Sequence, residues 1–142
     1  MKKLVLAVMM WGFSVGVNAA TTCTNADLQG EWSVKYIIPK PAQVGECTIT
    51  FDNNLKPSGH CENLTYNVSA DAFDGNVTIA KNCVVKGTIY ATNGQSVTLN
   101  MKANPNNQTI SGAMVSKNGN YTFKGTATFT KTGYLSCSVI SK

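Results

Sequence analysis

Apolar and polar residues alternate along most of the chain after residue 20. From 121 to 129, for example, Tyr, Phe, Gly, Ala and Phe alternate with Thr and Lys. Since successive side chains of a strand point to opposite faces, this period predicts strands with one apolar and one solvated face. The predicted strands are 31–38, 46–52, 56–62, 64–69, 76–80, 83–91, 95–103 and a hairpin over 108–130. They number eight or nine, depending on whether the third and fourth are one strand.

Short segments rich in Asn and Gly separate the alternating runs, at 52–54, 74–76, 93–94, 104–107 and 118–120. These residues tolerate the backbone angles of tight hairpins. No long segment has a helical period, although residues 24–29 could form one helical turn. The pattern predicts an all-β fold, an antiparallel up-and-down β-barrel of about eight strands, with a β-sandwich as the alternative. Gly87, Gly112 and Gly125 fall on the inward face, which favours the barrel because inward glycines mark tight barrel corners.

The first twenty residues differ from the rest of the chain. Lys2 and Lys3 precede an apolar run from 4 to 17, and Ala19 and Ala20 follow it. This order is typical of a secretory signal peptide, and the run is shorter than the roughly 20 residues of a membrane span. We therefore expect a signal peptide over 1–20, a single domain over 21–142, and a secreted or periplasmic protein.

All twelve basic residues of the chain are lysines, and they are scattered along it. Recognition of phosphates and bases relies mainly on the forked guanidinium of Arg. We therefore expect no nucleic-acid partner. The lack of Arg beside abundant Asn and Lys favours a bacterial source.

Five cysteines would meet an oxidising compartment if the chain is exported. Cys47 and Cys61 flank one predicted hairpin almost symmetrically, which predicts a disulfide between them. In a closed barrel the last strand lies beside the first, so Cys23 could reach Cys137 and leave Cys83 as a free thiol in the core. A Cys23–Cys83 pair with Cys137 free is the alternative.

Few residues could support catalysis or hold a metal ion. The single histidine, His60, is adjacent to Cys61, and the chain contains neither a Cys-x-x-Cys motif nor a Gly-x-Ser-x-Gly motif. No Gly-rich phosphate loop begins a helix. We therefore expect no enzyme activity, no catalytic residue, no cofactor and no metal site.

The segment Leu28–Trp32 has the form Leu-x-Gly-x-Trp at the start of the first strand. It resembles the opening of the calycins, which include lipocalins, avidins and small bacterial inhibitors of secreted metalloproteases. The order Cys47-x-Ile49-x-Phe51 followed by Cys61 is similar to those inhibitors. The resemblance implies a lipocalin-like barrel whose floor is formed by Gly30 and Trp32.

The segment 125–131 resembles the last strand of streptavidin-type proteins. Ala127, however, stands where those proteins have the Asp that contacts biotin. Trp32 is also the only Trp after residue 20, whereas those proteins line their pocket with several. We therefore do not expect biotin binding.

Two functions fit these observations. The resemblance implies an exported protein that binds another protein, as a protease inhibitor or effector acting on a secreted protease or host protein, with residues 20–26 as the inserting segment. The alternative is a carrier of a small apolar ligand in the barrel interior. The side chains expected to line that interior are Tyr36, Phe51, Tyr66, Met101, Met114 and Phe123. A structural or adhesive surface protein is a third possibility.

Overall fold

The computed structural model describes residues 21–134. A short 3-10 helix over Asn25–Asp27 precedes eight strands. The strands are β1 Gly30–Pro39, β2 Ala42–Phe51, β3 Pro57–Asn63, β4 Val68–Ile79, β5 Val84–Ala91, β6 Ser96–Asn104, β7 Thr109–Asn118 and β8 Tyr121–Gly133. The predicted all-β fold is confirmed. None of the helices in residues 21–134 is long and apolar enough to cross a membrane.

Each strand pairs with the next in an antiparallel ladder, and β8 pairs with β1 to close the barrel. Trp32 and Tyr36 of β1, for example, lie opposite Lys131 and Ala127 of β8. Closure leaves no strand edge unpaired, since the backbone groups of β1 and β8 satisfy each other. The up-and-down barrel is therefore confirmed, and the sandwich alternative is wrong.

Strand β4 differs from the prediction. The predicted strand 64–69 is wrong for residues 64–67, which form the turn between β3 and β4. Residues 68–69 begin β4, which continues through the predicted turn at 74–76 into the predicted strand 76–80 and ends at Ile79. The register against β5 shifts between Ala72 and Asp74, which marks a β-bulge at Phe73, and the turn-like residues 74–76 continue the ladder opposite β5. A carboxylate oxygen of Asp74 accepts a hydrogen bond from the Gly75 backbone N–H at 2.8 Å. A Cβ on Gly75 would collide with the Thr88 carbonyl oxygen, which explains the need for glycine at this position.

The predicted inward glycines lie where neighbouring strands approach closely. Gly87 and Gly112 have φ values of 146° and 151°, a region that favours glycine. A Cβ on Gly87 would meet the backbone of Asn76 and Val77 in β4. These positions let the sheet curve without a side chain between the strands.

The barrel has two different ends. The turns after β2, β4 and β6 lie at one end together with the N-terminal segment, and we call this the closed end. The turns after β1, β3, β5 and β7 lie at the other, which we call the open end. The largest fully buried side chains include Trp32, Phe51 and Leu28, and the strand bounds place them at the closed end.

Two disulfides form within the described residues. Cys47 and Cys61 face each other on β2 and β3 and are bonded, which confirms the first predicted pair. Cys23 is bonded to Cys83, so the preferred Cys23–Cys137 pair and the free Cys83 thiol are wrong, and the alternative pair is correct. Cys137 itself lies outside the described residues.

The path of the N-terminal segment explains the Cys23–Cys83 bond. This segment starts beside the β4–β5 turn, which is on the opposite side of the eight-strand ring from β1. From there it crosses the closed end to reach the start of β1. At the β4–β5 turn the Cys23 backbone N–H donates a hydrogen bond to the Lys81 carbonyl oxygen at 3.0 Å. Cys83 follows two residues later, with a left-handed φ of 72° that ends the turn. Two disulfides fit an oxidising compartment.

Candidate ligand-binding cavity

The closed half of the barrel is filled by side chains. Trp32 is 2% exposed, and its indole N–H donates a hydrogen bond to the Leu28 carbonyl oxygen at 2.8 Å. The Trp32 ring meets the Phe129 ring edge-on with centroids 6.4 Å apart, and Phe51 stacks on Phe129 at 6.5 Å. Gly30, with φ of 119°, leaves room for the Gly133 carbonyl oxygen of β8. Gly30 and Trp32, the expected floor, thus lie at this end.

A small depression of about 150 Å³ remains at the closed end, between Trp32 and the β6–β7 turn. The Lys131 ammonium lies 5.0 Å from the centroid of the Trp32 ring and 4.9 Å from that of Tyr134. Burial lowers the pKa of Lys131, and the charge of Asp27 partly opposes that change. The Lys131 side chain thereby covers the outer side of the floor.

The open half contains a cavity of about 560 Å³. Its deeper walls are apolar and include Ile49, Leu99, Met114 and Phe129. Small inward residues create the space, because Ala occupies cavity-lining positions on β4, β5 and β8 where the closed half has larger side chains. The volume falls within the range of about 300–1,000 Å³ that small-molecule pockets occupy.

Four of the six side chains expected to line the interior do line this cavity: Tyr36, Tyr66, Met114 and Phe123. Phe51 and Met101 do not, because they lie in the filled half. Phe51 is the last residue of β2, at the closed end, and is fully buried. Met101 lies between Val85 of β5 and Gly112 of β7. The alternation identified both as inward-facing but could not give their depth along the barrel.

The wall formed by β1 and β2 combines an aromatic ring with a glycine. Tyr36 lies opposite Gly45, and a Cβ on Gly45 would collide with the Tyr36 ring. Glycine therefore lets the ring lie flat against β2. Burial raises the pKa of the Tyr36 phenol, and a hydrogen bond with the Asn63 side chain opposes part of that rise.

Neutral polar side chains surround the mouth, and no residue that lines the cavity in the described part of the chain is charged. On β2 and β3, the Asn63 amide donates to the Gln43 side-chain oxygen at 2.8 Å. On the far side, Asn93 donates to the Gln95 side-chain oxygen at 2.7 Å, and Gln95 donates to Ser116 at 3.3 Å. Such a lining can hold a neutral ligand and would bury an ionised group at a large cost.

Sequence reasoning missed the polar residues of this site. Gln43 was outside the predicted strand 46–52, whereas β2 begins at Ala42 and turns the Gln43 side chain inward. Ser116 continues the inward series of Ile110 and Met114, and that alternation was a usable signal. The Cys47–Cys61 bond also lines the cavity, where it ties β2 to β3 below the mouth.

His60 lies on the outer surface of the barrel. It faces Asp71 across β3 and β4, and its Nδ1 lies 2.7 Å from an Asp71 carboxylate oxygen. The hydrogen bond with Asp71 raises the pKa of His60, desolvation opposes that rise, and the charges of Asp71 and Glu62 add to it. The group belongs to the solvated face and is not part of the cavity.

Several apolar side chains are exposed near the open end. Ile37 and Val44 lie opposite each other on the outside of β1 and β2. Leu64 is exposed in the turn between β3 and β4. Tyr66 lines the cavity and is still 54% exposed, which places it at the mouth. The rim is therefore more apolar than the rest of the barrel exterior, which carries mainly Thr, Lys and Asn.

No known protein family matches this chain, and no curated protein matches it. The barrel is consistent with a calycin-like fold.

Proposed function

We propose that this chain is an exported, non-catalytic binding protein that holds a small apolar ligand in the open half of its barrel. The observation that carries this proposal is the cavity of about 560 Å³, whose deeper walls are apolar and whose mouth is lined by uncharged residues. Export from a bacterial cell to the periplasm or medium, with residues 1–20 as a signal peptide, is part of the same proposal.

The division of the barrel into two halves supports a carrier. The closed half has an aromatic core of its own, in which Trp32, Phe51 and Phe129 pack together. The fold therefore does not need side chains to fill the open half. A ligand that covers the apolar surface of the open half removes it from water, which contributes about 25 cal/mol of binding free energy per Å².

A cavity-filling variant tests the proposal. Ala70 lines the cavity from β4, opposite Cys61. In Ala70→Trp the indole should displace about 100 Å² of ligand contact, which is about 2.5 kcal/mol. We expect the Kd for a neutral naphthylamine fluorophore, measured by titration, to rise about sixtyfold.

The matched control is Thr78→Trp, which places the same side chain on the exposed outer face of β4. It should bind the fluorophore as the unmodified protein does. Equal binding by the Ala70 variant, or no saturable binding by the unmodified protein, would refute the carrier proposal.

Protein binding is the second candidate, and the exposed apolar rim is the observation that favours it, since such patches often mark interaction sites.

Insertion of residues 20–26 into a protease cleft has less support, because Cys23 is 2% exposed and bonded to Cys83. If residues 20–26 insert into a protease cleft, removal of the residues before Cys23 should abolish inhibition of a secreted metalloprotease. An unaltered inhibition constant would contradict it.

A further inference from the structure

Two polar side chains in residues 21–134 are buried, and both line the proposed ligand cavity. Gln43 on β2 is 7% exposed and Ser116 on β7 is 3% exposed. Buried polar groups in proteins are usually fully hydrogen-bonded, because leaving one without a partner destabilises the fold. The hydrogen bonds of these two residues therefore indicate what the cavity has to supply.

Each of the two residues has at least one donor hydrogen that has no acceptor among residues 21–134. The Ser116 hydroxyl oxygen accepts a bond from Gln95, and its own hydrogen has no acceptor within the described ranges. The Gln43 oxygen accepts from Asn63, whereas its NH₂ group makes one long bond, 3.4 Å, to the Pro41 carbonyl oxygen. An amide NH₂ carries two hydrogens, so at least one of them has no acceptor among residues 21–134.

The two donors lie near the mouth, on strands that are three steps apart in the eight-strand ring. Ser116 is two residues from the end of β7, and Gln43 is the second residue of β2. Only β8 and β1 separate these strands in the closed ring, and Phe123 and Tyr36 line the cavity between the two donors. Below the level of the two donors the cavity wall is apolar and includes Leu99, Met114 and Phe129.

We infer that the ligand is an uncharged apolar molecule bearing a carbonyl, ester or ether oxygen, bound with its apolar chain in the deeper part of the cavity and with this oxygen accepting a hydrogen bond from Gln43 or from Ser116. This inference rests on the proposed carrier function. A hydrocarbon would leave both donors without an acceptor. A carboxylate would lose its hydration next to a lining that has no charged residue among those described, and a ligand donor group would meet donors that are already in excess.

The test compares three ligands of equal chain length, undecanone, undecane and undecanoate, as competitors of the naphthylamine fluorophore. One added hydrogen bond should make undecanone bind about fivefold to tenfold more tightly than undecane. Undecanoate should bind more weakly than undecanone. In at least one of the variants Ser116→Ala and Gln43→Leu, the preference for the ketone over the alkane should fall severalfold, while the affinity for undecane is kept.

Ser111→Ala is the matched control, because Ser111 lies exposed on the outer face of the same strand. It should leave the ketone preference unchanged, and thermal unfolding of each variant checks that the barrel is intact. Equal affinity for ketone and alkane, an unchanged preference in both cavity variants, or tightest binding of undecanoate would overturn the inference and leave the carrier function standing. Binding of none of the three would overturn both.

Discussion

Replacing Trp32 with Ala should lower the free energy of unfolding by about 3–5 kcal/mol. The indole is 2% exposed, contacts Phe129 edge-on, and donates a hydrogen bond to the Leu28 carbonyl oxygen. Its removal opens a void at the closed end and leaves that carbonyl without its indole donor. Since domains of this size are stable by about 5–15 kcal/mol, the loss should be evident in a urea unfolding curve.

Two controls define the cause of this loss. Trp32→Phe keeps an aromatic ring and should lose less stability than Trp32→Ala. Tyr121→Ala removes an aromatic side chain that is 71% exposed and should change stability by no more than about 0.5 kcal/mol. If Trp32→Ala lost less than about 1 kcal/mol, the closed end would not be the stabilising core of the barrel.

Removing the Cys23–Cys83 disulfide by the double replacement Cys23→Ala and Cys83→Ala should cost about 4 kcal/mol. The bond closes a chain segment of 60 residues, and restricting so long a loop removes much entropy from the unfolded chain. It also holds the N-terminal segment across the closed end, where Leu28 is fully buried. Urea unfolding under oxidising conditions measures the loss.

The double replacement Cys47→Ala and Cys61→Ala is the matched comparison. That bond spans 14 residues, so the same model gives a smaller cost, about 3 kcal/mol. Peptide mapping of the oxidised protein tests the connectivity directly. A peptide joining Cys23 to Cys137, or a larger loss for the short loop than for the long one, would contradict this assignment.

The fold was largely predictable because an alternating sequence constrains a barrel strongly. Inward and outward positions were correct along β1, β6 and β8, since a shift by one residue would turn every apolar side chain towards water. The Cys47–Cys61 bond was predictable for a related reason, because a symmetric hairpin places the two residues opposite each other.

The errors arose where a local signal has more than one structural solution. Asp74-Gly75-Asn76 is a good turn sequence, but the same residues also fit within a strand that follows a bulge at Phe73, and only pairing with β5 selects between the two. The partner of Cys23 depended on the route of the chain before β1. That route is set by the burial of Leu28 over the closed end, which no short-range pattern describes.

The sequence by itself therefore determined the class of fold, the strand count to within one, and which apolar side chains of β1, β6 and β8 face the interior. Only the tertiary structure decided how deep each inward side chain lies, since period-two alternation carries no information on position along the barrel axis. Tyr36 and Phe51 are both inward and aromatic, yet one lines a cavity and the other fills the core. The cavity exists because small residues from several separate strands line the same half of the barrel, and strand register decides which residues come together there.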